Sequence, residues 1–123
     1  MLINCLAVGA GGFIGSVFRY LFGLIPFLNK SDIPFQTLAV NVIGAVMIGM
    51  IVQAAESYGE PNGPWLLFLK VGICGGFTTF STFSLEALGL LQSGRALMFG
   101  IYVAASLVLC IGGSLYNILN IIL

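Results

Sequence analysis

Residues 75–84 read GGFTTFSTFS, which places two adjacent glycines and five hydroxyl side chains within ten residues of an otherwise apolar stretch. Adjacent glycines are poor helix formers, and the threonines and phenylalanines that follow them are mediocre ones. The surrounding stretch, from Trp65 to Leu91, is long enough to cross a bilayer as a helix. The sequence therefore predicts a membrane-spanning helix that is interrupted in its middle, with an unbroken helix whose hydroxyls bond their own backbone as the alternative.

An interruption at this depth has a chemical consequence. It leaves carbonyl oxygens free at the end of the first half-helix and N–H groups free at the start of the second, which suit a cation and an anion respectively. Such backbone is tolerated inside a membrane only where protein buries it or where it lines a cavity. Phe80 and Phe83 share a helix face, and an anion stripped of water could rest against their positive ring edges. Ordinary core packing is the other interpretation of this phenylalanine pair.

The composition of the whole chain indicates that a bilayer is its solvent. Of 123 residues, 59% are hydrophobic and only 7% are charged, and the mean hydropathy is +1.13. So few charged side chains cannot cover the surface of a water-soluble fold. Zero net charge and the lack of histidine exclude a basic surface for nucleic acid and an imidazole site for zinc. A multi-pass protein of the cell membrane is expected, in contact with lipid and without a nucleic-acid partner.

Four stretches are long enough to cross the membrane, and turn-forming residues separate them. They cover about residues 2–24, 35–55, 65–91 and 96–123. Because they use most of the chain, the predicted fold is all-α, with a single four-helix transmembrane domain over residues 1–123. The first stretch lacks the basic residues that precede a cleaved signal, so we expect it to remain as a helix.

Polar and small residues within these stretches indicate where the helices meet. Asn41 lies inside an uncharged stretch, and lipid cannot satisfy its amide. It marks either a solute pathway or a hydrogen bond between helices. Gly11 and Gly15 form a GxxxG pair, and Ala45 with Gly49 continues the face that carries Asn41, so both sets predict close helix packing.

The last stretch carries a line of polar side chains at every fourth position: Tyr102, Ser106, Cys110 and Ser114. Residues with this spacing lie on one face of a helix. Their hydroxyls can bind a solute that passes along the face, or can bond back to carbonyls of the preceding turn. Asn117 and Asn120 lie nearer the carboxyl end of this stretch and are predicted to be anchors at the membrane interface.

The distribution of positive charge gives a weak orientation signal. Lys30 and Arg95, with Arg19 near them, oppose Lys70 and the amino terminus. So small a bias is compatible with insertion in both orientations, and hence with an antiparallel dimer. A single fixed orientation is the alternative. Arg19 either concentrates anions near a helix end or extends toward the lipid headgroups.

On these residues the chain resembles the Fluc family of fluoride ion channels, which are CrcB-like proteins, over its full length. The stretch GGFTTFSTFS is similar to the signature of the family's third helix. The second helix with Asn41 resembles its counterpart, and Arg19 stands where the family carries an arginine. Cys110 departs from the hydroxyl expected at its position, so we assign it no necessary role.

The resemblance implies a function and an assembly. It implies a fluoride-selective channel, not an enzyme, that exports fluoride and lowers its cytoplasmic concentration. The assembly is an antiparallel, dual-topology homodimer with two pores, each lined by both subunits. A structural sodium ion (Na+) would lie at the dimer centre, bound by the backbone carbonyls of Gly75 and Thr78 from both chains.

The resemblance also implies roles for individual side chains. Phe80 and Phe83 would form the family's aromatic box, and Asn41 would contact the permeating ion. The remaining members of the predicted fluoride pathway are the polar track of the last helix and the arginine: Tyr102, Ser106, Ser114 and Arg19.

Three other classes of protein are weighed against this one. A small dual-topology, proton-coupled multidrug exporter needs a carboxylate inside the membrane, but the first stretch has none and Glu86 lies near a helix end. A purely structural membrane peptide would account for the glycines but not for the polar segment. An enzyme is least expected, because no nucleophile, base and orienting group converge.

The weak charge bias leads to a test of orientation. Two or three lysines added to one loop should force a single orientation and reduce fluoride flux, because the antiparallel pair loses one partner. Co-expression of an oppositely biased variant should restore the flux, and glutamines at the same positions serve as the control. Single-cysteine labelling from each side of the membrane measures the orientation. Full flux from a chain locked in one orientation would contradict the antiparallel dimer.

Overall fold

The computed structural model describes residues 1–59 and 62–122, and this part of the chain is helical with no strand. Helix α1 spans Leu2–Phe22 and α2 spans Phe35–Tyr58. The third span consists of α3, residues 64–77, and α4, Phe80–Gln92, and it is followed by α5, Ala96–Ile122. Four helical stretches of these residues are long and apolar enough to cross a membrane, which confirms the predicted all-α class with four spans.

Turn residues end these helices as their chemistry requires. Helix α1 stops at Gly23, and Pro26–Asn29 form one turn of 3-10 helix before α2. Helix α2 ends at Gly59, whose φ of 74° is readily adopted by glycine. Helix α2 therefore extends to Tyr58, beyond the end at residue 55 that the turn-rich sequence suggested.

The turn between α4 and α5 is a Schellman motif. The N–H of Gly94, whose φ is 79°, donates to the Leu91 carbonyl at 3.2 Å, and the N–H of Arg95 donates to the Leu90 carbonyl at 2.9 Å. The guanidinium of Arg95 then pairs with the carboxylate of Asp32 at 2.7 Å. This ion pair joins the turn to the loop between α1 and α2.

The third span is broken at Thr78 and Thr79, as the sequence predicted for this segment. Both residues are extended, with φ and ψ of −83° and 160° for Thr78 and of −151° and 116° for Thr79. The two glycines before them remain helical, so the break falls on the threonines. Thr79 begins α4 as its N-cap, because its hydroxyl oxygen accepts the Thr82 N–H at 3.2 Å.

The amino-terminal half of the third span is wound unusually. Within α3, the eight residues Leu67–Cys74 form a π-helix between short α-helical turns. The π-helix is rare, and where it occurs inside α-helices it is frequently at functional sites. Nothing in the sequence pattern predicted this winding, and it lies directly before the break.

Helices α1 and α3 cross at very short range, and glycines make this possible. A β-carbon on Gly11 would overlap the Phe68 carbonyl oxygen and would lie 2.9 Å from the Gly72 Cα. A β-carbon on Gly15 would overlap the Ile73 carbonyl oxygen. Both glycines are buried, which confirms the close packing predicted from the GxxxG pair.

Helices α2 and α5 are joined by side chains that bond to backbone. The Ser114 hydroxyl donates to the Ala45 carbonyl at 2.9 Å, and the Asn117 amide donates to the Val46 carbonyl at 3.1 Å. Asn117 is only 7% exposed, so its prediction as an interfacial anchor was wrong. It packs against Gly49, where the lack of a side chain leaves room for the amide to reach the neighbouring helix.

The described residues bury few large side chains within one chain. Phe83, Ala87, Leu90 and Tyr102 form a small core between α4 and α5. Many large apolar side chains face outward instead, such as Phe13 on α1 and Leu97 on α5. This pattern is expected of a chain that is solvated by lipid rather than by water.

Candidate functional site at the broken helix

The break opens onto a groove of about 590 Å³ between α2, the two halves of the third span, and α5. Seven of the nine residues predicted for the fluoride and sodium sites line this groove. These seven are Asn41, Gly75, Thr78, Phe80, Phe83, Ser106 and Ser114. The structure therefore brings together residues from three separate spans, while Tyr102 and Arg19 lie outside the groove lining.

The side chain of Asn41 is bonded to the backbone of the break. Its amide N–H donates to the Thr79 carbonyl at 3.0 Å, and its amide oxygen accepts the Thr79 N–H at 2.8 Å. The amide thus pairs with both backbone polar groups of one extended residue. An interhelical hydrogen bond was one of the two interpretations of Asn41, and the structure shows it. The second N–H of the amide has no partner within residues 1–59 and 62–122, and Asn41 lines the groove.

The same pairing frees two backbone carbonyls. In an uninterrupted helix the N–H groups of Thr79 and Thr82 would donate to the carbonyls of Gly75 and Thr78. Here Thr79 donates to Asn41 and Thr82 donates to the Thr79 hydroxyl, so both carbonyls lose their helical donors. Gly75 and Thr78 both line the groove, and Gly75 is exposed.

These two carbonyls are suitable ligands for a hard monovalent cation. Unwound backbone carbonyls coordinate Na+ at broken helices of other membrane proteins. In the part of the chain that the structure describes, no cluster of three or more histidine, cysteine or acidic residues could bind a metal ion. The donor set of Gly75 and Thr78 is therefore of the type that sodium accepts, but one chain provides only two such oxygens.

The two phenylalanines of the segment lie in different environments. Their ring centroids are 5.6 Å apart, but Phe80 is 76% exposed whereas Phe83 is only 8% exposed. Phe83 also packs against the ring of Tyr102 at a centroid distance of 5.1 Å. Phe83 is therefore anchored in the core, and Phe80 presents most of its ring to whatever covers the groove.

The polar side chains of α5 fall into two groups. The Ser114 hydroxyl donates a hydrogen bond to the Ala45 carbonyl and so joins two helices. The hydroxyls of Tyr102 and Ser106 are buried and find no hydrogen-bond partner among the described residues. Buried polar groups without partners are rare in folded proteins. Tyr102 and Ser106 therefore retain donors that a bound anion could use, and the sequence could not separate them from Ser114.

One polar pair near the site was missed by the sequence analysis. The hydroxyl of Thr37, which is buried, donates to a carboxylate oxygen of Glu86 at 2.6 Å. The side chain of Tyr102 lies near Thr37 and Glu86, but its hydroxyl forms no hydrogen bond with either. Thr37 and Glu86 are 49 residues apart in sequence, and a single threonine near the start of an apolar stretch was the available signal.

Arg19 lies in a second cavity, of about 480 Å³. Its lining includes Thr37, Thr79 and Thr82, and Arg19 forms no ion pair among the described residues. Thr79 lines both this cavity and the groove. The hydrogen-bonded pair of Asn41 and Thr79 therefore lies between a cavity that contains a positive charge and a groove lined by hydroxyls and aromatic rings.

Four apolar spans, one of them broken where it lines a groove, define the class as a multi-pass α-helical membrane protein with a discontinuous helix. The family described as "CrcB-like protein, Camphor Resistance (CrcB)" matches residues 6–118. The chain belongs to this family, which confirms the resemblance seen in its sequence.

Relatives named "Fluoride-specific ion channel FluC" are similar to the chain over most of its length. The relative from Ruminiclostridium cellulolyticum is 43% identical, over 91% of this chain and 87% of its own. The relative from Chlorobaculum tepidum is 48% identical, over 85% and 82%. The relative from Elusimicrobium minutum is 46% identical, over 92% and 89%.

The bonds of Asn41 lead to a prediction about stability. Replacing Asn41 by alanine leaves the buried N–H and carbonyl of Thr79 without partners, at a cost of about 1–3 kcal/mol for each group. We therefore expect Asn41→Ala to lower the thermal unfolding temperature of the detergent-purified protein markedly. Asn120→Ala, at an exposed asparagine, is the matched control and should change it little. Equal stability of the two variants would show that the break does not depend on this pairing.

Proposed function

We propose that this chain forms a fluoride-selective ion channel that exports fluoride and lowers its cytoplasmic concentration. The observation that carries the proposal is the groove at the broken helix. Ser106, whose hydroxyl has no described partner, lines this groove together with Phe80 and Phe83. The relatives named as fluoride-specific channels share 43–48% of their residues with this chain over most of its length.

The chemistry of the lining suits fluoride better than chloride. Fluoride is small and strongly hydrated, so a pathway must replace its water with hydrogen-bond donors, whereas the larger chloride gains less from them. Ser106 supplies a hydroxyl, and the free N–H of Asn41 supplies an amide donor at the same groove. The ring edges of Phe80 and Phe83 add weak positive potential without a fixed charge. Weak sites in series allow an ion both to enter and to leave.

The charged residues lie away from the break, which fits conduction. Lys70 lines the groove eight residues before Thr78, roughly two helical turns away. Arg19 lies in the neighbouring cavity, where an unpaired guanidinium raises the local concentration of anions. In this scheme Arg19 gathers fluoride, and Ser106 and Asn41 replace its water in the groove. Tyr102, which lies outside the groove lining, offers a further unpartnered hydroxyl. The Ser114 hydroxyl already donates its hydrogen to the Ala45 carbonyl, so in this scheme its oxygen lines the track while its O–H joins two helices.

The channel is a homodimer of antiparallel subunits in this proposal. On one chain, the groove exposes Gly75 and most of the Phe80 ring. Carbonyls without donors are costly in lipid, because the hydrocarbon offers them no partner. A second copy of the chain over this face would cover both the carbonyls and the ring. The weak positive-charge bias supports two opposite orientations in one assembly.

A structural sodium ion at the dimer centre completes the proposal. The carbonyls of Gly75 and Thr78 from two chains would supply four oxygens, which doubles the donor set that one chain presents. The ion would supply positive charge to oxygens that have lost their helical donors. Its role is to hold the two breaks together rather than to take part in permeation.

Flux measurements test the channel function. Purified protein in liposomes should release fluoride rapidly and chloride at a far lower rate. Phe80→Leu and Phe83→Leu, which remove the ring edges, should reduce fluoride release by about tenfold or more. Phe13→Leu, on an exposed ring of α1 outside the groove, is the matched control. Size-exclusion chromatography shows whether each variant keeps the wild-type assembly. Normal release from both groove variants would show that these rings serve packing alone.

Removal of sodium tests the ion site separately. We expect the thermal stability of the purified dimer to fall when sodium is replaced by N-methylglucamine, since the freed carbonyls then lack a cation. Thr78→Ala should keep this sodium dependence, because the proposed ligand is a backbone oxygen that the substitution retains. Identical unfolding temperatures with and without sodium would contradict the site while leaving fluoride conduction in place.

A further inference from the structure

We propose that Cys110 is a binding site for a thiophilic metal ion in the wall of the groove, and that an ion bound there blocks fluoride flux. This inference rests on the proposed function for its flux measurement, but the binding itself does not depend on conduction. Nothing in the sequence pattern distinguishes Cys110 from the hydroxyl residues around it except its sulfur.

The proposed site combines the thiol of Cys110 with the unpartnered hydroxyl of Ser106. Cys110 is half-buried and lines the groove together with Ser106, which lies one helical turn before it on the same face. Ser106 is only 6% exposed, and its buried hydroxyl has no hydrogen-bond partner among the described residues. A metal ion on the Cys110 sulfur would therefore lie one helical turn from a hydroxyl oxygen that no described protein group bonds, and would compete with fluoride for it.

The composition of the wall selects soft metal ions over hard ones. Among the described lining residues there is no aspartate or glutamate, whose carboxylates bind magnesium and calcium, and no histidine, whose imidazole binds zinc. Leu107 and Ile111, on the same helix, make the surface around Cys110 apolar. A single thiol in apolar surroundings suits mercury(II), silver(I) or copper(I), which bind sulfur strongly with few ligands.

The other two cysteines differ in their access to the groove. Cys74 lines it from α3 but is only 2% exposed, so little of its side chain can be reached. Cys5 is exposed on α1 and lies outside the groove. The chain therefore contains one accessible thiol in the groove, one buried thiol at its wall and one thiol elsewhere, which provides internal controls.

The binding step with mercuric chloride balances without any oxidant. The S–H bond of Cys110 breaks and an S–Hg bond forms, while a proton and one chloride ion are released. The second chloride remains on mercury or is exchanged for the Ser106 oxygen. A thiol reagent such as dithiothreitol reverses the step by taking the mercury and returning the proton to Cys110.

The experiment measures fluoride release from liposomes before and after mercuric chloride, and again after dithiothreitol. Wild-type flux should fall to roughly a tenth or less of its untreated rate and recover with the thiol. Cys110→Ser should keep nearly all of its own untreated rate in mercury. Cys5→Ser and Cys74→Ser should be blocked as the wild type is. Block that persists in Cys110→Ser, or that is lost in Cys74→Ser, would overturn the assignment.

Intact-protein mass spectrometry gives a readout that is independent of flux. The treated Cys5→Ser protein should carry a mercury adduct that the Cys5→Ser/Cys110→Ser double variant lacks. If the untreated protein releases no fluoride, the proposed function fails while the adduct still tests the site. If fluoride release is normal and no adduct forms on Cys110, the metal site fails and the channel function stands.

Discussion

The side-chain amide of Asn41 bonds the backbone N–H and carbonyl of Thr79. The rest of the groove depends on these two hydrogen bonds. Two hydrogen bonds of 2.8 and 3.0 Å hold the backbone of Thr79 in an extended form inside an otherwise helical span. Without them, an N–H and a carbonyl would be left unsatisfied in a medium that offers no water. Once Thr79 is extended, its hydroxyl can cap α4, and the carbonyls of Gly75 and Thr78 are released toward the groove.

A broken span in lipid needs rigid neighbours, and the glycine crossing of α1 and α3 provides one. The close approach of Gly11 to Gly72 brings two backbones together just before the break, in the π-helical part of α3. On the other side, Asn117 and Ser114 bond α5 to the carbonyls of α2. Two sets of tight contacts, both involving backbone atoms, thus join the helices that line the groove to their neighbours.

The polar side chains in and near the groove differ in whether their hydrogen-bond donors already have a partner. The Ser114 hydroxyl donates a hydrogen bond to the Ala45 carbonyl, whereas the hydroxyls of Ser106 and Tyr102 have no partner among the described residues. A solute pathway requires donors that protein groups have not already satisfied, so partner count separates the two roles more clearly than residue type does. Cys110 lines the groove one helical turn after Ser106, which has one of these unpartnered hydroxyls.

The sequence by itself determined the solvent and the four spans and predicted a break within residues 75–84, because composition, length and helix propensity are properties of short segments. The structure places that break on Thr78 and Thr79, after the two glycines. The sequence also predicted the glycine packing and grouped most of the groove residues, through the spacing within single helices and through the family resemblance. Only the tertiary structure decided the hydrogen-bond partners: Asn41 with Thr79 across 38 residues, Thr37 with Glu86 across 49, and Asn117 with Val46 across 71. It corrected Asn117 from an interfacial anchor to a buried link between helices. The reason is physical: a polar side chain in a membrane bonds to whichever group the packing of another helix brings near, and no local pattern encodes that neighbour.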